Sequence, residues 1–135
     1  MRQIEFRGKR KDNGHWVYGD LITKPIHHEC VILQDGVINH SVIPETVGEY
    51  TGLKDKTKRR IFEGDILHCH EYDSSDTGQR IVQTFKDAVV GFSDGNFYYY
   101  PNRNMKCAHQ LLMYAYKPEI IRNIHDNHSP AEDKE

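Results

Sequence analysis

The sequence predicts an all-β fold, mainly antiparallel and with little helix, and three observations carry that prediction. Asn13-Gly14, Asp35-Gly36 and Asp94-Gly95 each stand between short apolar stretches, and such pairs accept the positive φ angles that tight hairpins demand. The apolar stretches are short and rich in Val, Ile, Tyr and Phe, the residues that fit a pleated surface. A single segment has helical spacing, Asn104 to Tyr116, with Met105, Ala108, Leu112 and Tyr116 in register. Leu111, Met113 and Ala115 alternate there as a strand would, so helix and strand both stand open for 104–116.

Three hairpins follow in chain order. The first joins Gln3 to Arg7 with His15 to Ile22, the second Cys30 to Leu33 with Val37 to Ile43, and the third Ala88 to Phe92 with Asn96 to Tyr100. Further strands are predicted over Ile61 to His70, Arg80 to Phe85 and Ile120 to Ile124. The run from Leu53 to Arg60 has no apolar residue after Leu53, which makes it a basic connecting loop. The predicted organisation is an N-terminal hairpin-rich β unit over 1–52, the loop over 53–60, a small SH3-like β-barrel over 61–125, and a disordered polar tail over 126–135. Trp16, in the run Trp16-Val17-Tyr18 beside the first turn, is expected to be largely buried.

Composition excludes several function classes. The chain has 135 residues and a mass of 15.8 kDa, 37% of them hydrophobic and 28% charged, with a formal net charge of -2. That is a soluble globular composition. No apolar run approaches the roughly 18 residues of a spanning helix, and the opening Met1 to Lys11 lacks a signal-peptide centre. A cytoplasmic protein without a membrane partner is expected. Three Cys without a CxxC pair build neither a disulfide framework nor a four-Cys zinc site. Charge is unevenly divided, because residues 1–60 hold 11 Lys+Arg against 8 Asp+Glu while 61–135 hold 7 against 12. The excess basic charge comes from Arg7, Lys9, Arg10 and Lys11 and from Lys54, Lys56, Lys58, Arg59 and Arg60. Opposite charges on two parts of one chain allow copies to dock head to tail, so a homo-oligomer is expected.

The longest distinctive stretch is Val42-Ile43-Pro44-Glu45-Thr46-Val47-Gly48-Glu49-Tyr50-Thr51-Gly52-Leu53-Lys54-Asp55-Lys56, followed by Ile61-Phe62-Glu63-Gly64-Asp65-Ile66. With Ile4-Glu5-Phe6-Arg7, Val17 to Ile22, Val90 to Phe97 and Ile121 to Asn127, it closely resembles the YopX family of phage and prophage proteins over almost all of residues 2–127. Pro44, Thr46, Gly48, Tyr50, Gly52, Gly64 and Asp65 are the structural residues of that motif. The chain departs from the family at Arg122, where Gly is usual, and at the Lys58-Arg59-Arg60 run, where a Gly often precedes the strand. The resemblance implies a mostly β protein that forms homo-oligomers through its N-terminal region. It supplies no catalytic residue, and function has to be argued from a site.

Four chemistries were weighed from the residues. Glu63 and Asp65 could form an acid pair for general acid/base work or Mg²⁺, but a turn-forming Gly-Asp pair explains them without catalysis. Gly64 is accordingly expected at a positive φ or in a tight bend. His68 and His70 share one strand face and could offer two imidazoles to a metal, as could the cluster of His27, His28, Cys30 and His40. Neither group repeats the paired spacing of zinc sites. No Gly-x-Ser-x-Gly elbow, phosphate loop or dinucleotide fingerprint is present. Nucleic-acid binding is the runner-up: Lys54, Lys56, Lys58, Arg59 and Arg60 would neutralise phosphates, and Tyr98 and Tyr100 would stack on bases. The expected arrangement places Phe97 and Tyr99 in the core and Tyr98 and Tyr100 outward. The acidic net charge argues against tight, specific nucleic-acid binding. The reading is therefore a non-enzymatic protein of the YopX type that self-associates and binds a host or phage macromolecule, with no cofactor; a metal-dependent enzyme ranks third.

Overall fold

The computed structural model describes residues 3–72, 80–101 and 110–126. Residues 127–135 of the predicted tail over 126–135, and residues 104–109 of the segment 104–116 with mixed helix and strand periodicity, lie outside them. The described residues form eleven strands in order: β1 (Phe6–Lys9), β2 (Trp16–Lys24), β3 (Glu29–Gln34), β4 (Ile38–Val42), β5 (Gly48–Lys54), β6 (Arg60–Phe62), β7 (Asp65–Tyr72), β8 (Ile81–Ser93), β9 (Asn96–Tyr100), β10 (Gln110–Leu111) and β11 (Tyr116–Asn123). Among the described residues the helical pieces are short 3-10 turns, at Pro25–His27, Pro44–Thr46 and Leu112–Tyr114. The fold is all-β, as the turn dipeptides predict. The chain divides into two compact units, residues 1–52 with the segment from His125, and 53–124.

In the first unit the strand order is β4-β3-β2-β1-β5, with antiparallel pairing throughout. The hairpin of β3 and β4 closes on Asp35 and Gly36, both at positive φ, with the Val37 amide donating to the Gln34 carbonyl at 3.0 Å. Alternation along the strands sends Val17, Leu21, Cys30, Ile32 and Val42 to one face, where they form the core with Phe6 and Val47. The end of β4 turns back toward the end of β1, so that Arg10 bridges Val42 and the Ile43 amide donates to the Lys9 carbonyl at 2.8 Å. The motif around Pro44 fastens this turn. Thr46 is fully buried; its Oγ1 donates to the Ile43 carbonyl at 2.6 Å and accepts from the Lys9 amide at 2.9 Å. Gly48 lies opposite Arg7, the Tyr50 amide donates to the Glu5 carbonyl at 2.7 Å, and Gly52 turns the chain at a φ of 86°.

Trp16 departs from expectation, being half-buried rather than enclosed. It lies opposite Lys9 across the β1–β2 pair, and its indole carries the Arg7 guanidinium at 4.3 Å and the Lys9 ammonium at 5.4 Å from the ring centre. Arg7 and Lys9 are the buried members of this group, their stems covered and their charges set against the ring. The four-residue basic cluster expected around the first turn therefore shows only Arg10 and Lys11 toward solvent.

The second unit holds the sheet β10-β9-β8-β7-β11, again antiparallel. It is open. Its order ends on β10 at one side and β11 at the other, so the described residues do not form the closed SH3-like barrel expected from the sequence. Its core is Ile61, Leu67, Cys69, Phe85, Ala88, Val90, Tyr99 and Leu112. The strand expected over Ile61 to His70 breaks at Glu63-Gly64 into β6 and β7. Gly64 adopts a φ of 89°, which a side chain would strain, and Asp65 closes the turn by accepting from the Phe62 amide at 2.8 Å. The two strands expected over Arg80 to Phe85 and Ala88 to Phe92 are one, β8, because Lys86-Asp87 supplies no turn chemistry. The irregularity survives as a register shift, where Leu67 and Cys69 of β7 face Ala88 and Phe85.

Candidate functional site

The basic run is built around a residue the charge count passes over. Asp55 is buried, and its Oδ1 accepts from the amides of Thr57 and Arg59, both at 2.9 Å, and from the Thr57 hydroxyl at 2.8 Å. Its Oδ2 accepts from the Ile120 amide at 3.1 Å and from Arg59 Nε at 3.3 Å. Burial pushes the Asp55 carboxyl up, but the hydrogen bonds from Ile120, Arg59 and Thr57 outweigh it and hold the group below its ordinary value. The Lys56 amide donates to the Pro118 carbonyl at 2.7 Å, and the Arg59 guanidinium to the Ile120 carbonyl at 2.6 Å. The loop is thereby tied to β11. An Asp two residues before a Thr is an Asx-turn signature, and that was the sequence signal available for this hub.

The five basic side chains differ in what remains to them. Lys56 meets Glu119 at 3.6 Å, Arg59 is committed to Asp55 and β11, and Arg60 lies over the Phe62 ring at 5.4 Å. Lys54 and Lys58 are exposed, Lys58 at a φ of 75°. The tyrosines expected beside them are elsewhere. Tyr98 and Tyr100 belong to β9, and β8 and β7 intervene before β11, a separation of roughly 14 Å for three strand steps. Tyr100 shares the face of Tyr98, opposite Tyr99, as alternation predicts, but it is buried there and not exposed to solvent. Its ring lies over Gly91, where a Cβ would stand 2.5 Å from Tyr100 Cε2. Half-buried Phe97 and buried Tyr99 pack into the core as expected. The predicted nucleic-acid surface is therefore divided, with the loop tied to the edge strand β11 and the tyrosines on β9 beyond β7 and β8.

His68 and His70 do share a face of β7, with their ring centres 5.1 Å apart. His70 Nδ1 is 2.8 Å from the Thr84 hydroxyl, and Glu119 and Tyr116 of β11 lie across from His68 and His70. Burial, then His68, Lys117 and Lys56, hold His70 below the usual imidazole value. Among the described residues, no three His, Cys, Asp or Glu side chains come together as a metal site. Asp65, the candidate acid, spends both oxygens on structure: besides the Phe62 amide it accepts from Asn123 Nδ2 at 3.2 Å.

This disposition, with a Pro44–Thr46 turn fastening one unit and the Gly64-Asp65 turn the other, follows the motif residues along the length of the chain. The family model for the YopX protein matches residues 5–129. The chain belongs to the YopX family. No curated protein and no solved structure is significantly similar to it. Within the described residues, no helix of this YopX protein is long and apolar enough to cross a membrane.

Both units of the YopX chain expose large apolar side chains among their described residues, and in the first unit several of them lie on or beside β2 and β3. Ile26 is 90% exposed at the β2–β3 connection and Val37 77% at the β3–β4 turn. Ile22, Ile38 and Tyr18 are also exposed between these ends. On β2 and β3, Ile22 pairs with Val31 and Asp20 with Leu33, so Tyr18, Ile22, Val31 and Leu33 lie on the face opposite the core.

Proposed function

We propose that this YopX protein is a non-enzymatic phage or prophage protein that self-associates through its first unit and, as an assembly in the cytoplasm, binds a host or phage macromolecule. The observation that carries this reading is the exposure of Ile26 and Val37 at the turns on either end of β3 and of Ile22 on the face of β2 opposite the core. A monomer gains nothing from presenting large aliphatic side chains to water at both ends of one sheet, whereas a second copy would cover them. The charge division between the two parts of the chain gives copies an orientation. Tight sequence-specific DNA binding is not part of this reading, because the basic loop is tied to β11 while Tyr98 and Tyr100 lie on β9, with β8 and β7 between.

Light scattering on the full chain at micromolar concentration tests self-association. An oligomer is expected, and replacing Ile22 and Val37 with Lys should weaken it by ~10-fold or more. A monomer at low and high salt overturns the reading. Capture from host lysate then identifies the macromolecule, with the Ile22/Val37 variant as the control for dependence on assembly.

A further inference from the structure

The division of the chain into units reverses the charge balance expected from the sequence. Residues 1–52 hold 6 Lys+Arg against 7 Asp+Glu and 53–124 hold 11 against 9, because the basic loop falls with the second unit. Arg7 and Lys9, which the first unit contributes to the basic count, are buried against Trp16. What the first unit presents on the β2–β3 face opposite its core is apolar side chains beside carboxylates: Ile22, Val31 and Leu33 share that face with the exposed Asp20.

A hollow of about 280 Å³ opens at one end of this face, with Glu5, Tyr18, Asp20, Leu33 and Asp35 in its walls. It exists because β2 changes partners along its length, pairing with β1 as far as Gly19 and with β3 from Asp20 onward. Gly19 permits the change, since a Cβ there would strike the Leu33 carbonyl. Gln3 to Glu5 stand outside the β1–β2 ladder, and Glu5 Oε2 accepts from Gln3 Nε2 at 3.1 Å. No Lys or Arg is among the described residues that line the hollow. Its volume falls short of the roughly 300 Å³ at which small-molecule pockets begin, so it suits the side chains of a macromolecule, and three carboxylates select cationic ones.

The basic loop has the matching chemistry. The Asp55 amide donates to the Arg59 carbonyl at 2.8 Å and the Lys58 amide to the Asp55 carbonyl at 2.9 Å, which closes a tight turn. With the Asp55 side chain holding Thr57 and Arg59, the loop is shaped in advance while Lys54 and Lys58 stay exposed. We infer that the loop of a second copy docks on this face, its Lys54 and Lys58 set against Glu5, Asp20 and Asp35. The aliphatic stems of the lysines cover Tyr18 and Leu33 while the ammonium groups reach the carboxylates, and a pre-shaped loop loses little freedom on docking. The carboxylates repel phosphate, so nucleic acid is not the occupant. Face and loop lie on different units and every copy carries one of each, so the contact is head to tail and builds a ring or a filament. This inference rests on the self-association proposed above and supplies its geometry.

The test is analytical ultracentrifugation of the full chain at low and at high salt, with two charge-reversed variants. Asp20→Lys with Asp35→Lys alters the face, and Lys54→Glu with Lys58→Glu alters the loop; all four side chains are exposed, and circular dichroism verifies the fold. Asp35 holds a positive φ in its turn, so Asp20→Lys alone serves as a second face variant and should weaken association in the same direction. Each double variant by itself should associate ~10-fold or more weakly than the parent, and high salt should weaken the parent. An equimolar mixture of the two double variants should regain parental association, because every face then meets a loop of opposite charge. A monomeric parent overturns self-association and this docking mode with it. An oligomer that either double variant retains at parental strength overturns the docking mode alone, and so does weakening that the mixture does not restore, which gives the face to a different occupant.

Discussion

The carboxylate of Asp55 reaches 65 residues along the chain to accept the backbone N–H of Ile120 at 3.1 Å. The same side chain organises Thr57 and Arg59, so one residue both shapes a loop and ties it to β11. Asp55→Ala should therefore cost about 2–4 kcal/mol, because it leaves several donors without their acceptor. Asn at this position keeps the shape but presents an NH₂ to groups that also donate, and should recover only part of the loss. A depressed carboxyl contributes stability that is present above its unfolded value near 3.9 and is lost as pH falls through its lower folded value. Chemical denaturation of parent and variant from pH 7 to pH 2 checks both: the difference between them should shrink in the acid limb.

Gly91 and Tyr100 should be energetically coupled. A Cβ at Gly91 would stand 2.5 Å from Tyr100 Cε2, and Tyr100 is buried. Gly91→Ala is expected to destabilise by about 1–3 kcal/mol through overpacking. Combined with Tyr100→Leu it should cost less than the two changes summed, by about 1 kcal/mol. Additive melting data would show that the ring can swing aside.

His70 should titrate below the ordinary imidazole value, since burial and then His68, Lys117 and Lys56 disfavour its charged form. An imidazole with a lowered folded pKa stays neutral when the unfolded chain takes up a proton. Its contribution to stability is therefore full above about pH 6.5, falls as pH drops below that, and levels off beneath the folded value. NMR titration of the ring resonances measures the pKa directly, and His70→Gln should flatten this part of the pH–stability profile.

Cys69 should be inert and Cys30 reactive. Burial pushes the Cys69 thiol up to about 12, whereas Cys30 is half-buried near the N-terminal sheet. Because the thiolate is the reacting form and Cys69 is buried, alkylation of native protein at pH 8 should label Cys30 faster than Cys69. Peptide mapping by mass spectrometry separates the two sites, and denaturant should abolish the difference.

What the residues determined alone was local: fold class, the three hairpins and the Gly64 bend. Asp-Gly pairs select a tight turn from their own backbone preferences, and two-residue alternation then assigns faces without reference to distant chain. Family membership was legible for a related reason, since the Pro44 to Gly52 motif is a contiguous stretch. Tertiary structure decided everything that depends on which strands become neighbours. It opened the predicted barrel into a five-stranded sheet, parted the basic loop from Tyr98 and Tyr100, and set Trp16 beneath Arg7 and Lys9 instead of in the core. It also turned the buried Asp55 into a hub. Strand order and register are fixed by non-local hydrogen bonds and side-chain packing, and a one-residue shift redirects a side chain from one face to the other; no periodicity along the sequence encodes that choice.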